Sequence, residues 1–265
     1  MVAMVILLAS MMVTVPSGYT EIVLKDLISY WSFDSGKMKG KKVIDGFGKH
    51  NGNIQGSLKS VKGKIGEAVA FDADKANFIQ FDGAKDLDFS QDFTWMCWIK
   101  TGANGVLFAK TGAPGGDDKG PKTWWIVVNA LSFDVGWVGN AKDAKAQVSD
   151  DKWHHVAVTV EGKAGNIQYY VDGEDTGNGQ MAVNQFPEDG FKQRVNMGQD
   201  GRCDGEFGYY EGLIDEFAVY NRLLTKAEIK QNANSDRGLS VEADDRLPLK
   251  SVSYTHLRAH ETDSY

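Results

Sequence analysis

The sequence predicts an all-β fold, a two-sheet antiparallel β-sandwich closed by a short C-terminal helix. Three stretches carry that expectation. Residues 153–173 read Trp-His-His-Val-Ala-Val-Thr-Val, a turn, then Ile-Gln-Tyr-Tyr-Val-Asp-Gly. Both halves are rich in β-branched and aromatic residues, and Gly162 and Gly165 supply the positive-φ positions that the turn of a hairpin needs. Residues 93–100 are apolar on both faces, with Phe93, Trp95, Cys97 and Ile99 on one and Met96 and Trp98 on the other. A strand covered on both sides belongs in the middle of a sandwich. Finally, Thr225-Lys-Ala-Glu228 is a capping box that opens a helix to about Ala233.

The remaining elements follow in order. Residues 28–34 (Ile-Ser-Tyr-Trp-Ser-Phe-Asp) alternate and form the first strand, and residues 45–52 have loop chemistry. Residues 62–72 and 78–82 supply further strands, as do residues 106–110, which precede a Gly/Asp-rich loop at 112–122. Residues 123–129 and 131–137 pair as another hairpin. Residues 175–190 read as a long loop, 191–197 as a strand and 198–210 as a polar loop. Residues 212–222 (Gly-Leu-Ile-Asp-Glu-Phe-Ala-Val-Tyr-Asn-Arg) give the last strand.

Trp-His-His-Val-Ala-Val followed by Tyr-Val-Asp-Gly resembles the signature hairpin of laminin-G-like, concanavalin A-like jelly-roll domains, a group related to the pentraxins. The opening Trp-x-Phe-Asp strand with its Asp…Gly-x-His-Asn-Gly loop, and the strand-plus-helix ending, resemble two further parts of that family. The resemblance spans about residues 28–233 and places one such domain at 21–237, followed by an extension at 238–251. It implies an extracellular recognition domain for carbohydrate or a glycosylated surface, without catalysis. A polysaccharide hydrolase or lyase of the same fold, and a structural surface protein that binds protein rather than glycan, are the alternatives. It also implies a structural Ca²⁺ tying the first strand to the last, with Asp34 and Asp215 as ligands and Asp45 and Asn51 as helpers.

Hydrolases on this scaffold resemble one another in a closely alternating Glu-x-Asp-x-Glu strand, which is absent here. Glu211 and Asp215 could share a face, but Glu216 would lie on the other. His154 and His155 are adjacent on a strand, so they point to opposite faces and cannot jointly hold one ion. Aromatic residues that could stack on sugar rings are Trp124, Trp125, Trp137, Tyr209 and Tyr210. Trp124 and Trp125 alternate, so one is expected inside and one outside, whereas Tyr209 and Tyr210 sit beside a Gly-rich loop and are expected to reach solvent. Asp117 and Asp118 lie in an exposed turn that could border a ligand.

With a formal charge of -7, the chain is a poor partner for nucleic acid or an anionic membrane surface. Neutral sugars, cations or proteins suit it better. Cys97 sits in a strand and Cys203 in a loop; a disulfide between them is possible in an oxidising compartment, and two separate thiols are the simpler reading. The apolar run at residues 2–15 is shorter than the ~18 residues of a membrane span and resembles the core of a secretory signal peptide, here residues 1–20. Residues 252–265 resemble the translation of a sequencing adapter and are set apart from the domain.

Overall fold

The computed structural model describes residues 21–81, 87, 89–111, 122–127, 130–135, 146–180, 194–200 and 209–239. The expectations for residues 1–20 and 252–265, Cys203 and all but the last residue of the loop at 112–122 lie outside them, and Lys122 itself begins a strand. One sheet holds β1 (Leu27–Trp31), β5 (Lys59–Lys62), β6 (Glu67–Phe71), β8 (Phe93–Lys100), β12 (Trp153–Val160), β13 (Asn166–Val171), β14 (Glu174–Gln180) and β16 (Gly212–Tyr220). The other holds β2 (Met38–Lys39), β3 (Lys42–Val43), β4 (Gly52–Gln55), β7 (Phe78–Phe81), β9 (Gly105–Thr111), β10 (Lys122–Val127), β11 (Ala130–Val135) and β15 (Arg194–Met197). The first sheet runs β14-β13-β12-β8-β16-β6-β5, with β1 also paired to β16; the second runs β11-β10-β9-β15-β7-β4-β3-β2.

The expected centre is where the sequence put it. β8 lies between β12 and β16, and only its last residue escapes burial. Its alternate side chains Phe93, Trp95, Cys97 and Ile99 enter the core between the sheets. There Trp95 lies 4.8 Å from Phe108 and 5.5 Å from Phe133, rings contributed by the other sheet. Its opposite face carries Met96, which joins Tyr30, Tyr170, Ala218, Tyr220, Leu224 and Ile229 in a second cluster on the far side of the first sheet. Helix α1 (Lys226–Ala233) covers that cluster with Ile229. Thr225 and Glu228 close the capping box in both directions, and Arg222 forks Glu228 at 2.7 and 2.9 Å.

Residues 175–190 were expected to be a long loop, and there the structure differs. Asp172 (φ 52°) and Gly173 (φ 79°) form a two-residue turn with positive φ at both positions. That turn folds residues 174–180 back onto β13 as β14. An Asp-Gly pair between strands is the chemical signature of such a turn.

β16 carries a bulge between Asp215 and Ala218, where Glu216 has φ 52°. The bulge leaves both Ile214 and Phe217 in the core. Asp215 stands directly opposite Trp98, and Trp98 opposite His155, so the three form one row across three strands.

Candidate functional site

In the second sheet, β4, β7 and β15 send Ile54, Ile79, Phe81, Val195 and Met197 into the core. Alternation then places Asn53, Gln55, Phe78, Gln80, Arg194 and Asn196 on the outer face. The register aligns Asn53 with Gln80 and Gln80 with Asn196, three side-chain amides in line across adjacent strands. Strand spacing sets neighbouring amides about 4.8 Å apart. Gln55 and Phe78 form the next row.

Tyr209 borders this face, its ring 6.3 Å from that of Phe78. A relay holds the corner together: Asn196 Nδ2 donates to Gln199 Oε1 at 3.0 Å, and Gln199 Nε2 donates to the Tyr209 hydroxyl at 3.4 Å. Asn196 is only 1% exposed, and its Oδ1 has no hydrogen-bond partner. A buried carbonyl oxygen left unpaired costs about 1–3 kcal/mol. Asn53, Phe78, Gln80 and Tyr209 are half-buried. Neutral amides both donate and accept, as sugar hydroxyls do, and the two rings add apolar faces. The amides of Asn53, Gln80 and Asn196 carry no titratable proton, so what they offer is hydrogen bonding.

The expected ligand aromatics divide. Tyr209 lies on this face, but Trp124 and Tyr210 are fully buried and belong to the core. Trp124 packs 6.2 Å from Phe217, and Tyr210 packs edge-on to Phe71 at 5.8 Å while its hydroxyl donates to the Leu213 carbonyl. Trp124 is thus the inside member of the alternating Trp pair, and Tyr210 turns inward where its neighbour turns outward. The Trp125 side chain, Trp137, Asp117 and Asp118 lie outside the described residues. Asn53, Gln80 and Asn196 were missed by the sequence reading. Each sits alone in a short strand, and only the strand register brings them together.

Asp34 and Asp215 both bond the turn between β5 and β6. Asp215 Oδ2 accepts the amides of Lys64 (2.9 Å) and Ile65 (3.0 Å), and Asp34 Oδ1 accepts that of Glu67 (2.9 Å). Glycine is required for that approach: a Cβ on Gly63 would sit 2.6 Å from Asp215 Oδ2, and one on Gly66 would strike Asp34. Asp215 Oδ1 is buried without a partner. Burial, offset by those amides and reinforced by the charge on Asp34, pushes the Asp215 carboxyl up to about 7. Burial alone pushes Glu216 up to about 8.

Asp45 and Asn51 are elsewhere. Asp45 accepts the amides of Tyr30, Lys49 and His50, and Asn51 Oδ1 accepts the Asp45 amide, so both serve as turn-forming groups at the other flank of β1. Among the described residues no group of three or more His, Cys, Asp or Glu side chains is arranged to hold a metal ion.

His154 and His155 point apart. His154 binds Asp172 (2.9 Å) and Asp150 (3.1 Å), whereas His155 is buried edge-on to Trp98 at 5.3 Å, with neither ring nitrogen bonded. Lys64 Nζ sits 4.4 Å from the centre of the same Trp98 ring. The carboxylates of the hydrolase alternative serve separate turns: Glu211 accepts the amide of Ala73, and Asp215 those of Lys64 and Ile65.

Two antiparallel sheets around one core, with a helix on one outer face, define a jelly-roll β-sandwich. Residues 73–230 match the Laminin_G_3 family, and the chain belongs to the concanavalin A-like lectin/glucanases superfamily. Over 91 residues it is 32% identical to neuronal pentraxin-2 of Cavia porcellus and 33% identical to that of Homo sapiens. That stretch is 33% of this chain and 21% of the relatives, so only about a fifth of their length is matched. Domain 4 of AbnA, a GH43 extracellular arabinanase from Geobacillus stearothermophilus solved in complex with arabinotriose, aligns with TM-score 0.55 and 19% identity, covering 78% of this chain and 98% of that one. Trypanosoma rangeli sialidase in complex with sialic acid aligns with TM-score 0.60 and 15% identity, covering 83% and 36%. At those identities the structural likeness is one of fold.

Proposed function

We propose that this domain is a non-catalytic extracellular recognition module that binds neutral carbohydrate, free or on a glycoprotein, on the outer face of its second sheet. The observation that carries the reading is the Asn53–Gln80–Asn196 row bordered by the Tyr209 and Phe78 rings. The arabinotriose complex of the arabinanase domain is support from a shared fold, and extracellular placement draws on the pentraxin likeness. The test is a glycan array, followed by calorimetry on the best neutral ligand. Asn53→Ala with Gln80→Ala should weaken binding at least about tenfold, the loss of roughly 1.4 kcal/mol expected for one or two sugar hydrogen bonds. An array without hits ends the reading. Release of reducing sugar that vanishes in Glu211→Gln would restore the hydrolase.

A structural Ca²⁺ at Asp34 and Asp215 is part of the same proposal. These two residues would hold it, the unpaired Asp215 Oδ1 being the oxygen best placed to accept a cation. When bound it would neutralise two carboxylates that otherwise repel. Millimolar Ca²⁺ should then raise the melting temperature of the parent, by mass action on the folded state, and not that of Asp215→Asn. An unchanged parent melting temperature refutes the ion without touching the carbohydrate reading.

A further inference from the structure

The first sheet carries a second polar depression, at its free end and remote in register from the amide row. Thr159 on β12, Gln168 on β13 and Asn178 on β14 lie directly opposite one another. Their alternate neighbours Val158, Val160, Ile167 and Tyr169 enter the core, so these three side chains stand on the outer face. They floor a groove of about 730 Å³, within the range of sites for small molecules. Leu223, 36% exposed, forms an apolar wall, and Tyr170 lines the groove too. Glu161, Asn166 and Gln180 line the groove as well.

The state of the amides is informative. Gln168 Nε2 is anchored on Asp175 Oδ1 at 2.7 Å and on the Gly177 carbonyl, which fixes the amide and leaves Oε1 without a hydrogen bond. Among the described residues, the side chains of Asn178 and Gln180 make no hydrogen bonds. Glu161, the carboxylate in the lining, is already engaged by Asn166 Nδ2 at 2.8 Å. No lysine or arginine lines the groove among the described residues, so nothing there would neutralise a phosphate, sulfate or carboxylate. Unbonded amides, a hydroxyl and one apolar wall match the alternating hydroxyls and C–H faces of an uncharged sugar.

We propose that this groove is a second carbohydrate subsite, specific for neutral oligosaccharides, which makes the domain bivalent across its two outer faces. The choice of ligand class rests on the carbohydrate reading of the first face; the site itself does not.

The experiment is NMR on the full ¹⁵N-labelled chain titrated with arabinotriose and with maltotriose, up to about 10 mM, a range that captures weak single-sugar contacts. Saturable shifts are expected at the side-chain amides of Gln168, Asn178 and Gln180. Asn178→Ala with Gln180→Ala, both at exposed positions that bond nothing, should abolish the groove response and leave the Asn53 and Gln80 responses unchanged. Shifts at Asn53 and Gln80 alone overturn the groove and preserve the first face. Shifts at the groove alone preserve the groove and overturn the first face. Silence at both with both sugars overturns both. Glucose 6-phosphate producing larger groove shifts than maltotriose overturns the neutral class.

Discussion

His155 shows what a side chain is made to do by the strand it sits on. Its alternation places it against Trp98 on the outer face, and both ring nitrogens are buried without partners. Desolvation lowers its pKa from 6.5 to about 4, against a smaller opposing pull from Asp172. The folded state therefore keeps this imidazole neutral where the unfolded chain takes up a proton, between about pH 6.5 and pH 4. Its contribution is complete above pH 6.5 and is lost as the pH falls through that window, by up to about 3 kcal/mol for a shift of this size. Asp215 and Glu216 act in the opposite sense. Their raised values mean that the folded state binds the extra protons, so they destabilise as pH rises towards 7 and 8. Only a difference between variants isolates the histidine. His155→Phe removes the titration, so its stability relative to the parent should rise from pH 7 to pH 4 in urea melts. A pH-independent difference would mean that His155 is not held neutral.

At the scale of the element, legibility followed local chemistry. The β12–β13 hairpin, the doubly covered β8 and the capped helix were all readable because each is specified by side chains within a few residues of one another. β14 was misread because its sequence, Glu-Asp-Thr-Gly-Asn-Gly-Gln, has no apolar alternation. It is an edge strand on the solvent side of β13, and its pairing is set by the Asp172–Gly173 turn, whose chemistry was visible. The candidate sites were less readable still. Asn53, Gln80 and Asn196 are far apart in the chain, and so are Thr159 and Asn178; alignment of either set depends on pairing register. Tyr209 and Tyr210 looked alike in sequence, yet one borders the polar face and the other supports the Leu213 carbonyl from inside. Asp34 and Asp215, expected together at an ion, each accept backbone amides of the β5–β6 turn.

The whole molecule depends on a single shared core, because each sheet alone would leave one apolar face in water. Trp95 is the residue through which the sheets are joined. It comes from the first sheet, is fully buried, and touches Phe108 and Phe133 of the second as well as Phe89 and Phe93. Its indole Nε1 has no hydrogen-bond partner, so its contribution is packing and burial rather than polar contact. Trp95→Ala should therefore destabilise the fold by about 3–5 kcal/mol, the range for removing a large aromatic side chain and leaving a cavity. Trp95→Phe keeps a ring in place and discards the unpaired N–H, so it should cost much less. Because both sheets line one core, the loss should fall on a single transition. Near-UV and far-UV circular dichroism should report the same urea midpoint in parent and variants. A Trp95→Ala penalty below about 1 kcal/mol, or midpoints that separate between the two probes, would show that the sheets do not depend on this core as one unit.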